Sequence, residues 1–215
     1  MNIRTIRVFL IFFSILLLPF SGCSGSGSDV LSAAEIAALR DRYPIHEPGT
    51  DRPLSMESLI QGTSAYAVVR ILGREADTSL PEKAPDDYAG YLQPYVERAN
   101  FRIEILDAVV TGDEVMGSPI LEGWQVRDGQ ELVVSFNNRF TVPRLEAGMT
   151  VALLVVAPCG LDGYPGYHSS VDGLYYVVDG HVVAGFPEQP DAMYSGQPLK
   201  RFKAEIVRLR ESGGT

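Results

Sequence analysis

The chain has 215 residues, 27 of them acidic against 18 basic, with 46 % hydrophobic residues and two cysteines. So acidic a balance excludes a protein that wraps nucleic acid on a basic face, and two cysteines exclude both a disulfide framework and a Cys₄ zinc site. The length suits one folded domain with a proper core. The residues are unevenly distributed: Met1 to Gly22 holds two arginines, no acid and 14 hydrophobic residues. Without this stretch 193 residues remain, with 16 basic and 27 acidic groups, net −11.

Arg4 and Arg7 precede an almost wholly apolar run, Val8 to Phe20 (VFLIFFSILLLPF). As a helix this run is roughly 20 Å long, too short for a hydrocarbon core of about 30 Å. A short apolar stretch behind a basic start is the pattern of a secretory signal. Phe20-Ser21-Gly22-Cys23 then resembles the bacterial lipobox, in which small residues precede an obligatory cysteine. The resemblance implies that residues 1–22 are a signal peptide, cut before Cys23, and that Cys23 receives a diacylglycerol, usually with a further acyl chain on the new amino terminus. Phe20 stands where the box usually begins with Leu. Two or more acyl chains anchor a protein stably, each buried CH₂ contributing about 0.8 kcal/mol. Ser24-Gly25-Ser26-Gly27-Ser28 follows as a flexible tether, so residues 23–30 separate the anchor from a domain over 31–215. Ser24 is not the Asp that resembles an inner-membrane retention signal, so in a host with an outer membrane that membrane is the expected destination. The expected location is the bacterial cell envelope, facing outside the cytoplasm.

Ser32-Ala33-Ala34-Glu35 fits a capping box, and Ile36, Leu39 and Tyr43 fall on one helical face that Pro44 ends. Ser55 to Gln61 reads as a short helix stopped by Gly62. Ala65 to Leu72 (AYAVVRIL) is a strand, followed by a long polar loop over 77–98. Phe101 to Ile105 alternates apolar and charged, as a half-buried strand does, and Leu106 to Val110 continues it. Leu132 to Phe136 follows an Asp128-Gly129 turn. Val151 to Ala157 (VALLVVA) is the most continuous apolar run, a strand buried on both faces. Leu174 to Val178 and His181 to Ala184 flank Asp179-Gly180, the strongest short-range hairpin signal. Leu199, Phe202, Ile206 and Leu209 then lie on one face of an amphipathic helix that docks on the domain. The expected fold is mainly β: a small OB-like barrel of about six strands with helices at both ends.

This order of elements resembles the small β-barrel domain of uncharacterised bacterial surface lipoproteins. The match runs over SMESLIQ, AYAVVRIL, FRIEILDAVV, DGQELVVSF, LEAGMTVALLVV and GLYYVVDGHVVAG, roughly residues 54–187. The family pattern reads "A-x-V-V-x-x-V" in the first strand and "L-x-x-G-x-x-Y-L-L-F-L" later, where this chain has Val151-Ala152 in place of Tyr-Leu. The resemblance implies an OB-like barrel and carries over no catalytic or binding residue.

His168, His181, Asp162, Asp172 and Asp179 lie close in sequence, but without tight Cys/His spacing, an HExxH motif or an acid ladder, so no metal site and no cofactor are expected. The Asp-Gly pairs are turn formers. Cys159 sits in apolar and acidic surroundings, not the electropositive setting of a reactive thiolate. No catalytic residue is assigned.

The aromatic residues form two clusters. Tyr88, Tyr91 and Tyr95 fall in the 77–98 loop, and Tyr164, Tyr167, Tyr175 and Tyr176 cluster with Gly163, Pro165 and Gly166 in one segment. Exposed on loops, they suit recognition of a sugar, a peptide or a protein; otherwise they seal the barrel ends. Tyr88, Tyr91 and Tyr95 also fit one face of a short helix over Ala84 to Ala99. The expected function is a non-enzymatic binding or accessory module for a protein, peptide or glycan partner, tethered to a membrane and binding no nucleic acid. Its alternatives are a structural envelope-maintenance lipoprotein and a hydrolase with dispersed carboxylates.

Overall fold

The computed structural model describes residues 30–43, 55–81, 95–115, 117–137, 143–158, 166–185 and 193–213. The described residues are mainly β, with a large mixed sheet and three helices. The helices are α1 (Ala33–Leu39), α2 (Met56–Gln61) and α3 (Leu199–Ser212). The strands are β1 (Ala65–Arg74), β2 (Thr78–Pro81), β3 (Tyr95–Thr111), β4 (Glu114–Val115), β5 (Ser118–Pro119), β6 (Glu131–Asn137), β7 (Thr150–Val155), β8 (Tyr167–Ser169), β9 (Tyr175–Val178) and β10 (His181–Ala184). Eight of them form one sheet in the order β10-β9-β7-β1-β3-β6-β8, with β2 added to β3, and β4 and β5 pair separately. Every pairing in the large sheet is antiparallel except that of β6 with β8. Val156, just past β7, makes an isolated antiparallel bridge to His168 of β8 through N–H···O bonds of 2.9 and 3.0 Å. Strand β8, last on the path, is thereby tied back to the residue that follows β7.

The sheet buries both faces over part of its area, and the sequence encodes this in the two-residue period of a strand. One core takes Ala67, Val69 and Ile71 of β1, Phe101, Ile103 and Ile105 of β3, Leu132, Val134 and Phe136 of β6, and Val151, Leu153 and Val155 of β7. The other takes the alternate residues Tyr66 and Val68 of β1 and Ala152 and Leu154 of β7, and packs them against α2 and α3. Strand β7 contributes to both cores, which is why its sequence is apolar without alternation. Strand β3 alternates because Arg102 and Glu104 face solvent while their neighbours are buried. Three register shifts between β1 and β3 mark irregularities of the kind that bend and twist a sheet.

The helices follow their sequence signals. The Ser32 hydroxyl accepts from the Glu35 N–H at 3.3 Å while the Glu35 carboxylate accepts from the Ser32 N–H at 2.7 Å. Ile36 and Leu39 pack on the first core, and Tyr43 stacks at 5.1 Å on Tyr176. The ends of α2 and α3 clasp each other. The Gln61 amide donates to the Leu209 carbonyl at 2.8 Å, and the Arg210 guanidinium donates to the carbonyls of Ile60 and Thr63 at 2.6 and 3.2 Å. The hairpin turn has positive φ at both Asp179 (47°) and Gly180 (78°), as a type I′ turn requires.

Three sequence expectations are corrected. The 77–98 stretch is not all loop: Thr78–Pro81 and Tyr95–Arg98 pair residue for residue, which carries a hairpin onto β3. Residues 95–99 are therefore strand, and a helix running to Ala99 is excluded. Tyr167–Ser169 is a strand, and the sheet has eight strands rather than six.

Burial raises the Tyr176 phenol to about 12, with Arg40 and Arg144 opposing the shift. A phenol whose folded value exceeds its unfolded value of 10 adds stability fully below pH 10, and loses it as the pH rises through about 12. Tyr176→Phe is therefore expected to move the midpoint of alkaline unfolding upward; an unchanged midpoint means that Tyr176 ionisation does not drive it.

Candidate functional site

Helices cover one part of the sheet and leave another open to solvent. The open part is the outer face of β1, β3 and β6, where alternate residues of each strand point away from the first core. Strand register arranges them in cross-strand rows. Arg70, Glu104 and Glu131 form one row and Arg102 and Val133 the next, while Asn100, Ser135 and His168 form a third that reaches β8, where Asn100 and Ser135 are covered rather than open. Arg70 Nη1 lies 3.1 Å from Glu104 Oε2, and Arg102 Nε lies 3.2 Å from Glu75 Oε1. Val133 stands among them 42 % exposed.

Asn100 and Ser135 are buried although both are polar, and each is satisfied. The Ser135 hydroxyl donates to Asn100 Oδ1 at 2.6 Å, and Asn100 Nδ2 donates to the Ala76 carbonyl at 2.7 Å and to Thr78 Oγ1 at 3.3 Å. These bonds fix the Asn100 amide and fasten β2 to the sheet. The ion pairs beside them are half-exposed, so each contributes only about 0–1 kcal/mol and is readily exchanged for contacts with a partner. The face offers alternating charge with one apolar residue, a surface suited to a polar partner.

Among the described residues, the carboxylates whose pKa values move, Glu35 and Glu205, are both held low. The Ser32 hydroxyl and backbone N–H act on Glu35, and the Arg208 guanidinium on Glu205. Among the described residues, no three of the His, Cys, Asp and Glu side chains are grouped to hold a metal ion. The Asp172 N–H donates to the Ser170 hydroxyl at 3.1 Å, closing a local turn, and the His181 ring lies 3.0 Å from the Asp179 carbonyl across the hairpin turn. Asp162 and Cys159 lie outside the described residues.

The tyrosines chosen from sequence are not gathered on this face. Tyr175 is 1 % exposed, with its ring 4.7 Å from Phe202 and 6.4 Å from Tyr194 in the second core. Tyr167 is 6 % exposed, edge-on to Trp124 at 5.0 Å, and its hydroxyl meets Gln130 Nε2 at 3.4 Å. Both are packed on strands whose face is covered, rather than exposed on loops as expected. Tyr95 opens β3 opposite Pro81. Tyr88, Tyr91 and Tyr164 lie outside the described residues, as does Cys23. The outer-face row itself was legible in part, since FRIEI places Arg102 and Glu104 outward. Its cross-strand partners depend on register, which the sequence of one strand does not carry.

Among the described residues no helix is long and apolar enough to cross a membrane. Comparison of the chain with protein-family models, with curated proteins and with solved structures finds no match.

Proposed function

We propose that this chain is an extracytoplasmic bacterial lipoprotein, held to a membrane by acyl chains on Cys23, whose folded part is a non-enzymatic binding or accessory module for a protein, peptide or glycan. The observation that carries the reading is the run from Arg4 through the apolar Val8 to Phe20 to Ser21-Gly22-Cys23, followed at once by a Ser/Gly tether. The open, charge-alternating face of β1, β3 and β6 supports a recognition role.

We also infer an OB-like barrel. The path β7-β1-β3-β6-β8 has a parallel β6–β8 step, and the Val156–His168 bridge supports its return to β7. One apolar core drawn from alternate residues of β1, β3, β6 and β7 is what the interior of such a barrel contains.

The anchor is tested by Cys23→Ala in the intact chain. Metabolic labelling with a radioactive fatty acid should be lost, and the protein should move from the membrane to the soluble fraction. Label retained by the variant defeats the anchor.

A further inference from the structure

We propose that the outer face of α3, together with Met193, is the part of the domain that lies against the membrane, and that its partner there is an anionic lipid surface. The proposal rests on the Cys23 anchor and adds an orientation to it.

The first argument is reach. Leu31 is the eighth residue after Cys23, so the intervening chain extends at most about 29 Å. Leu31 is held in place: its N–H donates to the Gly196 carbonyl at 2.8 Å. Gly196 has φ +87° and lies so close that a Cβ on it would stand 2.9 Å from the Leu31 carbonyl oxygen and 3.0 Å from Ile36 Cδ1. The turn is itself fastened to β10, where the Gly196 N–H donates to Val182 and the Val182 N–H donates to Gln197. The tether therefore joins the fold three residues before α3 starts at Leu199.

The second argument is charge. Helix α3 holds five cations, Lys200, Arg201, Lys203, Arg208 and Arg210, against two acids, Glu205 and Glu211. The rest of the chain after Gly22 holds 11 cations against 25 acids. An anionic surface thus repels most of the domain and attracts this helix. At physiological salt the attraction dies away over about 8 Å, so it acts only on a face brought to the surface, which the short tether allows.

The third argument is what remains exposed. Phe202, Ile206 and Leu209 are buried on the second core, Lys203 pairs with Asp107, and Arg210 is spent on the carbonyls of α2. Lys200, Arg201, Ala204, Val207, Arg208 and Glu211 face outward, three cations against one acid. Arg208 is bonded to Glu205 at 2.7 and 2.9 Å, while Lys200 and Arg201 have no ion pair among the described residues. Met193, 70 % exposed, borders a groove of about 420 Å³ that Gln197, Arg201, Glu205 and Arg208 also line. An apolar side chain flanked by cations is the pattern of interfacial contact: the thioether enters the headgroup layer and the cations meet the phosphates.

The test uses the full acylated protein in vesicles of phosphatidylcholine, alone or mixed with phosphatidylglycerol, that carry a headgroup-linked quencher. Cys159→Ser leaves a single free thiol, introduced as Ala204→Cys on α3 or as Val133→Cys on β6 and labelled with a fluorophore. The expected result is several-fold stronger quenching at 204 than at 133 in the anionic vesicles. Lys200→Glu with Arg201→Glu should bring 204 down to the level of 133, as should salt at about 1 M, where the screening length is about 3 Å. Equal quenching at the two positions, or quenching indifferent to lipid charge and to the two substitutions, overturns the orientation. The intact mass of the same sample separates the two readings. Acyl mass present with equal quenching defeats the orientation alone, whereas absent acyl mass defeats the anchor and this proposal with it.

Discussion

Phe202→Ala is expected to destabilise the domain by about 3–5 kcal/mol, the usual range for removing a fully buried phenylalanine. The ring sits at the centre of the second core, with Tyr175 at 4.7 Å, Tyr194 at 5.7 Å and Tyr66 at 6.0 Å. It is also the first buried residue of α3, so its removal withdraws the main apolar contact by which the helix reads its place on the sheet. A cavity left among three tyrosines cannot collapse cheaply, because the Tyr66 hydroxyl is held by the Gly173 carbonyl at 2.6 Å. Domains of ordinary stability hold about 5–15 kcal/mol, so the loss takes a large fraction of the total. Urea unfolding should show a lower midpoint with an unchanged slope. Amide exchange should speed up most along α3. A midpoint shifted by less than about 1 kcal/mol equivalent would mean that α3 is not seated by this ring.

Phe101→Ala should cost a similar amount, about 3–5 kcal/mol, and distribute it differently. Phe101 is buried in the first core, edge-on to Phe136 at 5.7 Å and 84°, with the Arg74 guanidinium over its ring, 5.6 Å from the centroid. It pairs with Val134 on one side and Arg74 on the other, so it lies in the middle of the sheet. Its loss should lower exchange protection in β1, β3 and β6 together while α3 keeps its relation to β1. If instead α3 loses protection first in this variant, the division into two cores is wrong.

The sequence carries the elements better than their partners. The capping box at Ser32, the Asp179-Gly180 turn and the spacing of Phe202, Ile206 and Leu209 are local signals, and each produces the element expected of it. VALLV, Val151 to Val155, is apolar throughout and is buried throughout, since both cores need it. The three-residue β8 carries too little pattern to be seen, because YHS gains strand geometry by lying beside β6 and bridging to Val156. Strand β2 likewise depends on β3, where Asn100 and the paired backbone hold a polar segment.

Tyrosine was misleading for a physical reason. Its ring packs like phenylalanine while its hydroxyl needs only one partner, so composition does not separate a recognition residue from a core residue. A clue was present in the strand itself. YYVV and HVVA are apolar at successive positions, the signature of strands covered on both faces, and Tyr175 and Tyr176 point into different cores. The candidate face on β1, β3 and β6 was half legible for the opposite reason: alternation showed which residues of β3 face outward, and only register showed that Arg70 stands beside Glu104 and Ser135 beside Asn100.

Cys23 is proposed as the mature amino terminus, bearing the lipid. The most direct measurement is the intact mass of the protein extracted from membranes with detergent, followed by fragmentation of its first residues. The expected result is a chain that begins at Cys23, lacks residues 1–22 and carries a diacylglycerol on the cysteine sulfur. A chain that retains residues 1–22, or one cut elsewhere with no acyl mass, contradicts the claim.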